Sequence, residues 1–126
     1  MDAATTDSSL TIDAHVLVLK TLTADPRVSM VFMRLPDGNI GGDGFARNGN
    51  TLLRKLWGFE IPSLPTVTDA NAEGLANLTS YGMADLTDAP RRLITRFAPD
   101  SIRIQNSATL TPVDDHSDHI ITAHYA

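Results

Sequence analysis

The stretch SLTIDAHVLVLKTLTADPRVSMVFMRL, residues 9–35, has the densest apolar content of the chain and decides its fold. Over residues 9–16 polar and apolar side chains alternate without a break. A period of two places each set on one face of a pleated strand, which is typical of a strand with one buried and one solvated face. Many residues of the stretch are β-branched and fit a strand better than a helix. We therefore expect a strand here.

A helix is the alternative for residues 9–22. Ile12, Val16 and Leu19 have the spacing of one helical face. No Glu or Gln follows a capping Ser or Thr at the third position, however, so the signal for a helix start is weak. The sequence favours the strand and leaves the helix open.

The residues Asp25-Pro26-Arg27 predict the turn that follows. Asp favours the first position of a turn, and proline fixes φ at the second. Residues 28–35 are then expected to form a second strand with apolar side chains on both faces. If residues 9–22 are a strand, the two segments form an antiparallel hairpin that is buried on much of both faces. This hairpin is the expected nucleus of the core.

The sequence after residue 35 predicts two further strands and two short helices. The strands cover residues 102–110 and 118–125, and the helices cover residues 51–57 and 89–97. The expected fold class is α+β, with an antiparallel sheet made of the opening hairpin and the C-terminal strand pair, covered by one or two short helices.

Length and composition limit the protein class. With 126 residues the chain has room for a single ordinary core. We predict a polar N-terminal arm over residues 1–8 and a single α+β domain over residues 9–126. An apolar fraction of 42% with 20% charged residues is typical of a globular chain. No aliphatic run is long enough to span a membrane, and the first residues lack the basic and apolar start of a secretory signal.

The cysteine count and the charge exclude several chemistries. The chain has no cysteine, which excludes disulfides, thiol catalysis and cysteine-ligated zinc. Ten Lys and Arg against fifteen Asp and Glu give a formal net charge of −5. Phosphate neutralisation needs clustered positive charge, so we expect no sequence-specific binding of nucleic acid.

The most distinctive loop is PDGNIGGDGFARNGN, residues 36–50, which holds five of the eight glycines. A calcium loop starting at Asp37 would lack the Glu that its twelfth position requires. A glycine- and aspartate-rich calcium repeat breaks at Ala46 and does not recur. A dinucleotide loop would have Arg47 in place of its third glycine. We interpret the loop as a hairpin tip or an interface loop. Its candidate contact residues are Asp37, Gly41, Gly42, Asp43, Phe45 and Arg47.

Three arginines, Arg91, Arg92 and Arg96, form the only basic cluster of the sequence. No aromatic platform accompanies them, and the chain is acidic overall, so a phosphate site is not expected. We interpret them as a solvated helix face or as a salt-bridged contact between subunits.

Residues 114–125 contain three of the four histidines and are the best place to look for metal or acid–base chemistry. On a strand His119 and His124 point to opposite faces, and on a helix they are five residues apart, so they do not share an ion. A loop site would need a distant ligand, and no known ligand spacing is matched. The metal candidates are His15, His116, Asp118 and His119. We predict no metal, no cofactor and, since no activated nucleophile is recognisable, no catalytic residue.

The phrase TADPRV at residues 23–28 and the strand pair at residues 102–110 and 119–125 resemble small virion assembly proteins of tailed phages, of the tail-terminator or head–tail connector type. Such proteins are often acidic, lack cysteine and have about this length. The resemblance implies a homo-oligomeric ring subunit without catalysis, which joins other assembly proteins in the virion or the host cytoplasm. In that family the first segment is a helix, so a strand there would favour a different β-rich virion subunit.

The leading hypothesis is therefore a non-enzymatic assembly subunit that acts through subunit interfaces. The alternative is a small enzyme or a metal- or ligand-binding domain that uses the C-terminal His and Asp residues together with His15. A third class, a toxin-neutralising or regulatory binding protein, fits the acidity equally well.

Overall fold

The computed structural model describes residues 4–67, 78–105 and 116–125. It divides into two compact units, the first made of Met1–Arg34 and Val67–Thr79 and the second of Leu35–Thr66 and Ser80–Ala126. The elements in chain order are β1 (Thr5–Ile12), β2 (His15–Leu22), β3 (Ser29–Phe32), a 3-10 helix (Ala46–Asn48), α1 (Leu53–Trp57), β4 (Leu64–Pro65), β5 (Ser80–Tyr81), α2 (Met83–Phe97) and α3 (Ser117–Tyr125). The expected α+β class is confirmed. The single domain over residues 9–126 stays a prediction.

The first unit contains a three-stranded antiparallel sheet in the order β1-β2-β3. β1 takes in residues 5–8 of the predicted arm, and it joins β2 through a turn at Asp13 and Ala14. Asp13 has a left-handed φ of 51°, a conformation that Asp tolerates better than most residues. One continuous strand over residues 9–22 is therefore wrong, because the chain reverses at this turn. The helix alternative for the same residues is wrong as well.

The antiparallel pairing of the opening segment with the segment after Asp25-Pro26 is confirmed. β2 pairs with β3, and Lys20 lies opposite Met30. β3 ends at Phe32, earlier than the predicted end at residue 35. The buried residues of this unit gather towards the β1–β2 turn, namely Leu10, Ile12, His15, Leu17 and Val18.

In the second unit α1 and the two-stranded sheet of β4 and β5 supply fully buried side chains. Leu52 precedes α1, and Leu64 of β4 lies opposite Tyr81 of β5; none of the three is accessible to solvent. The predicted helix over residues 51–57 is confirmed from Leu53 onward. Leu52 occupies the N-cap position of α1, without a side-chain hydrogen bond.

α2 begins at Met83, well before the predicted start at residue 89. Its N-terminus is closed by Asp85, whose Oδ2 accepts a hydrogen bond from the Gly82 N–H at 2.7 Å. Pro90 therefore lies inside the helix, where it cannot donate the usual backbone hydrogen bond. The buried residues of α2 are Leu86 and Ala89, whereas Leu93 and Ile94 are half-buried and Phe97 is exposed.

Residues 118–125 form a helix, and the predicted C-terminal strand is wrong. α3 packs against α1 and α2, and its Ile121 and Tyr125, one helical turn apart, are buried. The β-branched residues 120–122 favour a strand locally, but packing against two other helices overrides this preference. Of the predicted partner strand, residues 102–105 form no strand, and residues 106–110 lie outside the described residues. None of the helices in the described ranges is long and apolar enough to cross a membrane.

Candidate functional site

The glycine-rich loop folds back on itself and is not a hairpin tip, because an α-helix rather than a pairing strand follows it. Asp37 Oδ1 accepts a hydrogen bond from the Asn39 N–H at 2.6 Å, and the Gly44 N–H donates to the Gly38 carbonyl at 2.8 Å. Asn39 and Gly44 both have left-handed φ values, 62° and 78°. These turns fix the backbone of residues 37–44 and present it to α3.

Two hydrogen bonds attach the loop to the start of α3. The Gly38 N–H donates to Asp118 Oδ2 at 2.7 Å, across 80 residues of sequence. His116 Nε2 lies 2.9 Å from the Asn39 carbonyl oxygen. Gly38 suits this contact because a Cβ at its position would lie 2.6 Å from Asp118 Oδ1. The close approach of loop and helix therefore requires glycine at residue 38.

Three side chains converge where the loop meets α3, and we call Asp37, His116 and Asp118 the loop–helix cluster. One potential metal-ligating atom from each lies within 4.8 Å of the other two. His116 Nδ1 and Asp118 Oδ2 are 3.8 Å apart. Asp37 is exposed, whereas the other two are half-buried. Sequence reasoning named His116 and Asp118 as metal candidates, but it placed Asp37 only among the interface residues.

The hydrogen bonds of His116 assign its tautomer. A carbonyl oxygen only accepts, so Nε2, which faces the Asn39 carbonyl, carries the proton. Nδ1 in turn accepts a hydrogen bond from the backbone N–H of Asp118 at 3.3 Å. The Nδ1 lone pair is therefore directed towards the start of α3, beside the Asp118 carboxylate.

The Asp118 carboxylate has one oxygen in use and one without a partner. Oδ2 accepts from Gly38, but Oδ1 is buried and has no hydrogen-bond partner within the described part of the chain. A buried carboxylate oxygen without a donor is unfavourable, because its charge is neither hydrated nor paired.

The other two metal candidates lie outside the cluster. His15 belongs to the first unit, where it is buried and has its Nδ1 3.3 Å from the Thr79 hydroxyl. His119 is exposed on α3, and its ring centroid lies 5.7 Å from that of His116. The fourth histidine, His124, stacks on Trp57 with 5.1 Å between ring centroids.

The arginines of α2 make local ion pairs. Arg91 and Arg92 both bond to Asp88, one helical turn before them, with Arg91 Nε 2.9 Å from Asp88 Oδ1. The hydrogen bonds from Arg91, which has the larger effect, and from Arg92 hold the pKa of the Asp88 carboxyl below its usual value. Arg96 is exposed. A subunit contact through Arg91, Arg92 and Arg96 stays a prediction.

The remaining candidate contact residues of the loop lie beyond the cluster. Gly41 and Asp43 are exposed, and the Gly42 carbonyl accepts a hydrogen bond from Arg54 at 3.2 Å. The Arg47 guanidinium lies 4.8 Å from the centroid of the Phe45 ring, within range of a cation–π interaction. Their interface role stays a prediction.

A second candidate site is apolar and lies on β3 and on the residue just before it. Val28, Met30 and Phe32 alternate along one face, and 51%, 52% and 39% of their surfaces are exposed. We call these three residues the edge row, because β3 is an outer strand of its sheet. The expected burial of both faces of this segment is wrong for the edge row. Only β2 pairs with β3, which leaves its other edge open among the described residues.

A second exposed apolar segment follows α2. Residues 98–105 are exposed throughout, including Ile102 at 55% and Ile104 at 57%. The two isoleucines are two residues apart, so they would share one face of an extended chain. Exposed apolar side chains are common on protein surfaces, and large contiguous patches of them mark contact sites.

Comparison of the chain with protein-family models, with curated proteins and with solved structures gave no match.

Proposed function

We propose that the protein is a non-enzymatic structural subunit that assembles with copies of itself, as a virion component of the phage head–tail or tail type. The single observation that carries the proposal is the edge row of Val28, Met30 and Phe32, exposed on an outer strand. Of the resemblance to small virion assembly proteins, TADPRV at residues 23–28 remains as support. The strands β1 and β2 in the first segment and the helix at the C-terminus favour a different β-rich virion subunit over a tail terminator. Such a subunit would occur in the host cytoplasm and in the assembled particle.

An outer strand presents backbone N–H and C=O groups that can pair with another strand. Monomeric proteins usually protect such an edge with lysine, proline or a covering element. β3 has the sequence SMVF, with neither lysine nor proline. An edge that has no lysine or proline, pairs with no further strand among the described residues and is flanked by exposed apolar side chains is suited to the addition of a strand from another chain.

The occupant that we propose for this edge is the segment 101–105 of a second copy. Ile102 and Ile104 are among its exposed residues, and their spacing matches that of Met30 and Phe32. Paired alongside β3, the two isoleucines would cover the edge row while the backbone groups of both segments form a ladder.

The estimated free energy of a single contact between two copies is small. Burying the exposed half of five apolar side chains contributes about 5 kcal/mol. About four ladder hydrogen bonds add roughly 4 kcal/mol, against an association cost of at least about 4 kcal/mol. The balance corresponds to a dissociation constant on the order of 0.1–1 mM. A lasting assembly therefore needs each copy to make more than one contact.

The contact is heterologous, because it joins two different surfaces, and such contacts propagate from copy to copy. They close into a ring when the rotation between copies allows it, and otherwise extend into a filament. In a ring every copy makes two contacts, so the assembly is more stable than one contact suggests. This supports the ring-forming role that the phage resemblance implies.

Light scattering over a range of concentrations tests the proposal. The wild-type chain should form assemblies several times heavier than the 13.6 kDa monomer. Met30→Arg and Ile104→Arg should each abolish them. At millimolar concentration a mixture of these two variants should contain a species of twice the monomer mass, since one intact contact survives between them.

Ile40→Arg is the matched control, because Ile40 is 96% exposed on the loop and the charge change is the same. It should assemble like the wild type. A wild-type chain that stays monomeric up to millimolar concentration would refute the proposal. Assemblies that survive Met30→Arg and Ile104→Arg, or a mixture of the variants that stays monomeric, would refute the proposed contact.

A further inference from the structure

We propose that the loop–helix cluster binds one divalent transition-metal ion of the zinc class through Asp37, His116 and Asp118. The site is independent of the edge row and of assembly. Its starting point is the convergence of one imidazole nitrogen and two carboxylates within 4.8 Å of one another.

The protonation of His116 makes the centre of the cluster rich in lone pairs. Because Nε2 carries the proton and donates to the Asn39 carbonyl, Nδ1 has a lone pair, lies 3.8 Å from Asp118 Oδ2 and accepts the Asp118 N–H at 3.3 Å. A bound ion would replace that long hydrogen bond. A metal-ligating histidine usually donates its other N–H to a backbone carbonyl or a carboxylate, which fixes its tautomer and orientation. The Asn39 carbonyl supplies that partner, so His116 is already oriented for a ligand role.

The buried Oδ1 of Asp118 is a second observation, made on the other oxygen of the carboxylate whose Oδ2 lies near His116. It has no hydrogen-bond partner among the residues that the structure describes, although it belongs to a charged group. The nearby backbone provides a donor only to Oδ2, through Gly38. A cation held between Asp118, Asp37 and His116 would compensate the charge that the protein leaves unpaired.

The donor set indicates the class of ion. With one imidazole and two carboxylates, Zn²⁺ is preferred over Mg²⁺, because imidazole suits zinc and Mg²⁺ takes oxygen ligands almost exclusively. Zinc–ligand bonds of about 2.0–2.1 Å in a tetrahedron place ligand atoms about 3.3 Å apart. The 3.8 Å between His116 Nδ1 and Asp118 Oδ2 is close to that spacing. Three protein ligands leave a fourth position for water or another donor.

Calorimetric titration of the full chain with ZnCl₂ at neutral pH tests the site. We expect one ion per chain and a higher melting temperature in its presence. Asp37→Asn should weaken zinc binding at least about tenfold, the smallest loss expected for a change at or next to a metal. It keeps Oδ1 as the acceptor for the Asn39 N–H, so the turn should survive. His116→Gln should weaken binding at least as much.

Two controls separate the site from non-specific binding. Asp43→Asn removes the same charge from the same loop, and His119→Gln removes an exposed imidazole from the same helix. Both should bind zinc like the wild type. Absence of binding at millimolar zinc, equal affinities of Asp37→Asn and Asp43→Asn, loss of binding in His119→Gln, or tighter binding of Mg²⁺ than of Zn²⁺ would each overturn the assignment.

Discussion

The sheet of the first unit and the helical second unit differ in the sequence distance of the contacts that define them. β1 and β2 are joined by a two-residue turn, and β3 follows β2 after the turn at Asp25-Pro26. In the second unit the Gly38–Asp118 hydrogen bond spans 80 residues. The sheet is thus specified by neighbouring residues, whereas the loop and α3 of the second unit depend on distant partners.

Both units contain buried and exposed apolar residues, and one set from each illustrates the two cases. In the second unit Leu52, Leu64 and Tyr81 have no exposed surface. In the first unit the edge row of Val28, Met30 and Phe32 keeps 39–52% of its surface exposed. Local alternation of polar and apolar residues favours a strand whether or not another element covers its apolar face. The exposed edge row therefore bears on association, whereas the buried side chains bear on folding.

The largest expected effect distinguishes a core residue of the sheet from a residue of the edge row. Leu17 is 2% exposed, so Leu17→Ala should lower the free energy of unfolding by about 2–5 kcal/mol through lost burial and a cavity. Met30→Ala, on the edge row of the same sheet, should cost less than about 1 kcal/mol. Urea denaturation of both variants measures the difference. Equal losses would mean that the edge row is part of the core, contrary to the assembly proposal.

Two glycines of the loop test how closely the backbone of the second unit is packed there. Gly44 has a left-handed φ of 78°, and a Cβ there would lie 2.9 Å from the Asn50 carbonyl carbon, so Gly44→Ala should cost about 3 kcal/mol. Gly49 has a φ of 66° but nothing within 4 Å of a Cβ, so Gly49→Ala should cost about 1 kcal/mol. Thermal unfolding of the two variants compares steric crowding with backbone strain alone. A Gly44→Ala variant as stable as Gly49→Ala would mean that the loop adjusts freely.

Sequence patterns predicted the parts of the fold that neighbouring residues determine. The α+β class and the pairing of β2 with β3 followed from alternation and from the turn at Asp25-Pro26. The turn at Asp13 and Ala14 was missed because a polar and a small apolar residue continue the alternation through it. The strand predicted for residues 118–125 was wrong because α1 and α2 cover α3, and no local pattern encodes that packing.

The candidate site was predictable only in part, for the same reason. His116 and Asp118 stand two residues apart, so their proximity was visible in the sequence. Asp37 joins them only because the fold brings the loop against α3. The one local signal was the Asp37-Gly38-Asn39 turn, which is typical of many loops without a ligand.

The smallest expected effect concerns Tyr125, on the face of α3 that packs against α1. Its hydroxyl is buried without a hydrogen-bond partner among the residues described, and its ring meets Trp57 edge-on with 5.1 Å between centroids. Tyr125→Phe keeps the ring contact and removes the unpaired hydroxyl. It should therefore leave the free energy of unfolding unchanged or raise it by up to about 1 kcal/mol at neutral pH.

The pH dependence of stability in the wild type and in Tyr125→Phe gives an independent test, because burial raises the pKa of the Tyr125 hydroxyl above its ordinary value. The folded chain then holds this proton more strongly than the unfolded chain, so the contribution of Tyr125 to stability is present below about pH 10 and is lost as the pH rises through the folded-state pKa. Urea denaturation at neutral and alkaline pH should show the advantage of Tyr125→Phe over the wild type increasing above about pH 10. A difference in the free energy of unfolding that stays constant with pH would mean that the Tyr125 hydroxyl is hydrated in the folded chain. In that case α3 packs on α1 loosely enough to admit water.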